Sequence, residues 1–219
     1  MTEVMKTVTP KGELAWVTHQ GEGKENMSGK MQYVASLILD PINNKEHKDY
    51  IVAIDAFWEA NKPEGRKKAK SLGYKLSDPL LDDKGEKQYD DDDKLIYDPK
   101  GRVTVTFKTG TTWPDGKTKV VKIYNSKNKI VSLGDASIGN GSIGHLSGAI
   151  GIYINKNKQG KIMDAGATLY LDAIQLKKFV EYTGGDAGFA ASEDEDEDAF
   201  VGVDEDAGFD GEDAPTPRL

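Results

Sequence analysis

Apolar and polar residues alternate most clearly at Gly12 to Thr18 and at Met31 to Asp40, where Met31, Tyr33, Ala35, Leu37 and Leu39 fall on one face, and both segments predict strands. The intervening Gly21-Glu22-Gly23-Lys24 reads as a loop. From Asn43 to Asn61 the period becomes that of a helix: Tyr50, Ile51, Ile54, Phe57 and Trp58 share a face, Asn43 with Glu46 resembles a capping box, and Pro63 stops the element. Phe57 and Trp58 are therefore core candidates. Residues 64 to 100 are polar and turn-rich, with Asp78-Pro79, Asp82-Asp83-Lys84-Gly85 and Asp98-Pro99-Lys100-Gly101 marking loops, so this stretch predicts a long irregular insertion.

Strand patterns return at Arg102 to Thr109, Lys117 to Asn125, Ser142 to Asn155 and Ala165 to Glu181, the last with Leu169, Leu171 and Ile174 as inward candidates. Trp113-Pro114-Asp115-Gly116 carries the chemistry of a hairpin tip. About five strands with one amphipathic helix between the early and late ones predict a mainly β domain, a five-stranded Greek-key barrel of the OB type.

The pattern stops near Gly184. Beyond it the chain is mostly Asp, Glu, Gly and Ala, with six consecutive acids from Glu193 to Asp198, and it cannot bury enough apolar surface to offset chain entropy. The expectation is a domain over residues 1–185 and a disordered acidic C-terminal tail over 186–219. Phe189, Phe200, Val201, Val203 and Phe209 recur between the acids, a pattern suited to docking on partners; a merely solubilising tail is the plainer alternative. Charge sharpens this division. The net charge of -8 separates into 13 Asp and Glu against one Arg in residues 186 to 219, and 28 Lys and Arg against 24 Asp and Glu before them. A mildly basic body with an acidic end suggests a polyanionic partner.

The absence of cysteine excludes disulfides, thiolate metal sites and cysteine nucleophiles, and it suits a reducing cytoplasm. No run of about 18 apolar residues predicts a membrane span, and Met1 to Thr9 lacks the apolar stretch of a signal peptide. The expectation is a cytoplasmic protein with no membrane partner.

Gly139-Asn140-Gly141-Ser142-Ile143-Gly144 matches a dinucleotide-binding pattern, and Asp164 lies further on. A helix must follow such a loop, but Gly148 and Gly151 interrupt the next segment and Ile150 to Ile154 reads as strand, so a glycine-rich turn and close backbone approach is the preferred reading. His19, His47 and His145 lack ligand spacing and read as surface residues. Asp90 to Asp93 are consecutive and cannot converge on one ion as residues from several strands can. No catalytic residue, metal site or cofactor is predicted.

What remains is an interleaving of aromatic and basic residues along the strands. A base stacked on an aromatic ring contributes on the order of 1 to 3 kcal/mol, and a neighbouring lysine neutralises phosphate. The candidates are Trp16; Lys30 and Tyr33; Arg102 and Lys108; Trp113 at the hairpin tip; Lys119, Lys122 and Tyr124; and Tyr153, Lys156 and Lys158. For each aromatic the competing reading is burial, and Trp113 is the least suited to a core.

The order of these features resembles the OB-fold single-stranded DNA-binding proteins of tailed bacteriophages that end in an acidic tail. The resemblance rests on Glu13-Leu14-Ala15-Trp16-Val17-Thr18, the strand Lys30 to Asp40, the amphipathic helix, Leu80-Leu81-Asp82-Asp83, the strand Val103 to Lys108, Tyr124 to Ile130, the Gly139-Asn140-Gly141-Ser142 turn and the acidic end. It implies a protein that coats single-stranded DNA during phage replication and recombination, in the host bacterial cytoplasm. It also implies that Lys30 sits at a basic DNA contact and Tyr153 at a stacking position. This chain departs by ending on Pro215-Thr216-Pro217-Arg218-Leu219, with its phenylalanines inside the tail.

These readings together predict a non-enzymatic protein that binds single-stranded DNA with little sequence preference. The tail is expected to compete with DNA and to recruit phage replication proteins such as a polymerase, helicase or primase. An exposed sheet edge could pair two copies as a homodimer. The rivals are an adaptor that works through its tail without nucleic acid, and a metal-dependent nuclease suggested only by the abundance of acids.

Overall fold

The computed structural model of the protein describes residues 4–26 and 28–183. Its strands are β1 (Val4–Val8), β2 (Gly12–Thr18), β3 (Lys24–Glu25), β4 (Met31–Leu39), β5 (Tyr74–Leu76), β6 (Val103–Gly110), β7 (Lys122–Tyr124), β8 (Ile130–Val131), β9 (Ser142–Lys156) and β10 (Ile162–Lys178), with one helix, α1 (Lys45–Asn61), between β4 and β5. The predicted tail and its phenylalanines lie outside the described residues.

Five strands form a ring. β2 pairs antiparallel with β4, β4 antiparallel with β6, β6 parallel with β10, β10 antiparallel with β9, and β9 antiparallel with β2. The fold is thus mainly β, with one helix, as the hydrophobic pattern predicts. Alternation decides what the ring encloses: Tyr33, Ala35, Leu37 and Leu39 of β4, Val103, Val105 and Phe107 of β6, and Leu169, Leu171 and Ile174 of β10 are all buried in one cluster. Met31, at the end of its strand, is exposed.

Helix α1 adds Tyr50, Ile54, Phe57 and Trp58 to the same cluster. Its cap is Asn44 rather than Asn43: the Asn44 side chain accepts from the backbone N–H groups of Glu46 and His47, and Asn43 instead bonds Asp40. The histidines also depart from the surface reading. His19 and His47 are buried, and both ring nitrogens of His47 are bonded, Nδ1 accepting from the Asp40 N–H at 2.8 Å and Nε2 donating to Lys11 O at 2.8 Å. Partial burial leaves His145 Nδ1 bonded to Thr9 O at 2.9 Å.

The glycine-rich segment before β9 opens a strand, not a helix. A Cβ on Gly148 would collide with the Tyr170 carbonyl and one on Gly144 with the Gln175 carbonyl, so glycine lets β9 and β10 approach closely.

One turn recurs through the molecule. At Asn26, Asp82, Asp90, Asn125 and Asn157 the side-chain oxygen accepts from the N–H groups two and four residues on, closing a short hairpin. The residue three positions on has positive φ in every case: Gly29, Gly85, Asp93, Asn128 and Gly160, the residue types that tolerate the left-handed region.

Two of these turns organise the insertion predicted to be irregular. Leu80 N–H donates to Ile96 O, Ile96 N–H to Gln88 O, and Gln88 N–H to Leu80 O, a closed cycle of three bonds of 2.8 to 3.0 Å at an eight-residue spacing. The bridges Leu81 to Lys87, Tyr89 to Leu95 and Tyr97 to Pro79 follow the same cycle. Residues 78 to 102 are therefore a small module with pseudo-threefold symmetry, hidden from a reading by apolar alternation because each arm contributes only single bridges.

Candidate nucleic-acid interface

The Trp113 hairpin extends from the end of β6 and returns into β7. Trp113 N–H donates to Lys117 O at 2.8 Å, Gly116 takes the positive φ that the tip requires, and Trp113 is left 54% exposed. Lys119 reaches back to this tip. Its Nζ lies 4.4 Å from the Trp113 ring centroid and donates to Thr109 Oγ1 at 3.1 Å, so a cation covers one face of the indole. β7 then runs parallel to β10 and brings Lys122 and Tyr124 alongside. Trp113, Lys119, Lys122 and Tyr124 line one open groove of about 590 Å³, with His145 and Ser147 of β9 and Asp172 and Gln175 of β10. Four of the ten predicted contact residues thus converge on one surface.

Two more meet in a second groove of about 250 Å³, where Lys108 of β6 and Tyr153 of β9 are joined by Lys75 and by Thr104, Thr106 and Thr168. Gly166 makes room for the Tyr153 ring: a Cβ there would lie 2.8 Å from both the Tyr153 Cε1 and its hydroxyl. Burial and the nearby Asp164 push the Tyr153 phenol up, so it keeps its proton and remains a neutral stacking and donor group. Lys70 bonds Asp164 at 2.8 Å and holds that carboxyl below the usual carboxylate range, assisted by Asn155.

The remaining predicted contacts separate from these grooves. Tyr33 is a core residue, 3% exposed, with its hydroxyl donating to Gly21 O at 3.1 Å; its ring offers no face to a base. It belongs to the inward parity of β4 with Ala35, Leu37 and Leu39, the face that the apolar alternation marks as core. Arg102 is occupied: its guanidinium forks onto Asp78, Nε at 3.1 Å and Nη2 at 2.9 Å from Oδ1. Asp78 lies 24 residues away, and no local pattern announces the pair. Lys30 is exposed at the start of β4, beside Gln32 and Gly110 of the neighbouring strand. Lys156 ends β9, and Lys158 lies in the turn that follows.

The sequence reading named Trp16 but missed Tyr182. Both are exposed, at 61% and 59%, and both line a third groove of about 620 Å³ with Lys24 and His19. Tyr182 lies at the end of the described residues, where a single bridge between Glu181 and Ile138 fixes the backbone. An aromatic two residues before the acidic composition begins is the one signal that could have marked it.

Among the described residues no group of three or more His, Asp or Glu is placed to hold a metal ion, and no helix is long and apolar enough to cross a membrane.

No protein-family model matches the chain, and no curated protein matches its sequence. Solved structures do match. One is gp2.5, a single-stranded DNA-binding protein encoded by bacteriophage T7, with a TM-score of 0.44 and 17% identity, covering 93% of this chain and 100% of that one. A C-terminal truncation of the single-stranded DNA-binding protein from bacteriophage Enc34 gives a TM-score of 0.49 and 16% identity, covering 80% of this chain and 86% of that one. The Enc34 protein in complex with ssDNA gives 0.47 and 16%, covering 81% and 88%. The structural neighbours are phage single-stranded DNA-binding proteins.

Proposed function

We propose that this protein binds single-stranded DNA with little sequence preference, holding bases on exposed aromatic rings and phosphates on lysines. The observation that carries the reading is the convergence of Trp113, Lys119, Lys122 and Tyr124 on one open groove. A solvent-exposed tryptophan, a second aromatic and two ammonium groups supply what a sequence-tolerant site needs, since every base has a π-face and every nucleotide a phosphate. Lys108 and Tyr153 repeat the combination in the second groove, with Lys30 and Lys156 as outlying cations. Arg102 acts through its pair with Asp78 and is not assigned a phosphate.

In this reading the protein coats single strands during phage DNA replication, recombination and repair, and it carries out no chemistry on them. The acidic residues 186–219 act as a tethered polyanion that competes with DNA for the lysines and recruits replication proteins such as a polymerase, helicase or primase. A second copy can add to the sheet at β1 or β8, the two ends of the strand order.

The test is fluorescence-anisotropy titration of a labelled oligothymidine with the full chain and with residues 1–185, at low and high salt. Binding that weakens steeply with salt and tightens on truncation supports the proposal. Unchanged affinity on truncation removes the competing role of the tail. Absence of binding by both forms overturns DNA binding and favours the adaptor reading.

A further inference from the structure

Trp16 occupies a conformation that a large side chain adopts only at a cost. Its φ is +51°, in the left-handed region, at the irregularity between Ala15 and Thr18 in the register of β2 with β4. The distortion is fixed from a distance: Asn140 Oδ1 accepts the Trp16 N–H at 2.9 Å. The bulge leaves the indole 61% exposed, so neither backbone conformation nor burial explains a tryptophan at this position. A bulge that re-aims a side chain is a common device beside binding sites.

The indole borders the third groove together with Tyr182, whose backbone N–H donates to Ser137 O at 2.9 Å and whose side chain is 59% exposed. This groove adjoins the Lys108 and Tyr153 groove. Ser36 of β4 lines the former and Thr106 of β6 the latter, and their hydroxyls are hydrogen-bonded to each other at 3.0 Å across directly opposed positions. Val34, opposite Lys108, also lines the Trp16 groove. A strand lying across the outer surface of β6 and β4 therefore meets Tyr153 and Lys108 first, then the hydroxyl pair, then Trp16 and Tyr182.

We infer that Trp16 and Tyr182 stack bases of a single-stranded nucleic acid whose path continues from the Lys108 and Tyr153 groove, with Lys24 receiving a phosphate at the far end. The inference deepens the proposed function and rests on it. The strained conformation of Trp16 is kept for the ligand rather than for the fold.

The test separates fold from ligand. Glycine adopts the left-handed region without strain, so Trp16→Gly keeps or raises the melting temperature while weakening oligothymidine binding about tenfold, within the range of one lost stack. In the full-length Trp113→Phe protein the remaining indoles are Trp16 and the buried Trp58, and oligothymidine quenches their fluorescence through Trp16. Tyr182→Leu, made separately, weakens binding by a similar factor. Binding seen by anisotropy without quenching, or wild-type affinity in folded Trp16→Gly and Tyr182→Leu, overturns the inference and leaves the proposed function standing. Absence of any anisotropy change overturns both.

Discussion

The Trp113 hairpin with its continuation, residues 110–130, and the threefold module, residues 78–102, are built from the same turn and carry opposite charge. The first has five lysines against one aspartate; the second has nine acids against five Lys and Arg. Both expose large side chains, Trp113 and Ile130 in one, Leu81, Tyr89 and Tyr97 in the other. Asx turns form at Asn125 in the first and at Asp82 and Asp90 in the second, Trp113 holds the matching position at the hairpin tip, and the residues around each turn decide what it can attract. A polyanion should follow the first region and avoid the second, whatever the aromatic content of each.

The largest effect is expected where both regions depend on the ring. Gly148→Ala forces a Cβ into the Tyr170 carbonyl where β9 and β10 pair, and it should cost about 4 kcal/mol or more in chemical denaturation, with DNA binding lost alongside. Normal stability in this variant would mean that the close strand approach is not needed to hold the ring. Next comes charge reversal in the hairpin region. Lys119→Glu with Lys122→Glu should weaken oligothymidine binding by about 100-fold at low salt with only a small fall in melting temperature, because Lys122 is exposed and half-buried Lys119 loses its contacts with the Trp113 ring and Thr109 Oγ1. Trp113→Ala should cost roughly 5- to 150-fold in affinity, the span of one stacking contact, and release Lys119 from the ring.

The fold was legible where one residue type has one physical meaning. Alternating apolar positions in β2, β4, β6 and β10 and the apolar face of α1 located the core, because burial is the dominant demand on those residues. Legibility failed where a residue's neighbour lies far along the chain. Nothing near Arg102 reveals Asp78, and nothing near Trp16 reveals Asn140. β1 was missed because five residues pairing on one edge of β9 leave too short an alternation to stand out. The threefold module was missed because its period is eight residues and its pairing consists of isolated bridges.

The site was legible only as a list. Sequence chemistry named Trp113, Lys119, Lys122 and Tyr124 but could not show that they share a groove, which depends on β7 running parallel to β10. Tyr182 carried no signal beyond its place two residues before the acidic composition begins, and the exposure of its ring beside Trp16 brings it forward.

The smallest expected effect concerns acid stability and leaves both loops untouched. Burial lowers the pKa of His19 below its usual 6.5, so the unfolded chain binds this proton more readily than the native one. The stability contribution is therefore complete above pH 6.5 and is lost progressively as the pH falls below it. His19→Gln should flatten this part of the stability profile measured by denaturant melts across pH 5 to 7.5; an unchanged slope would show that His19 is equally protonated in both states.

The contrast between the two charged regions is tested most directly by the salt dependence of oligothymidine affinity in three full-length proteins: the wild type, Lys119→Ala with Lys122→Ala, and Asp90→Ala with Asp92→Ala. For single strands each phosphate contact contributes about 0.7 to the slope of log affinity against log salt. The lysine variant should be shallower than wild type by about 1.4, and the aspartate variant should keep the wild-type slope. A lysine variant with the wild-type slope and affinity would contradict the assignment of the Trp113 groove to single-stranded DNA.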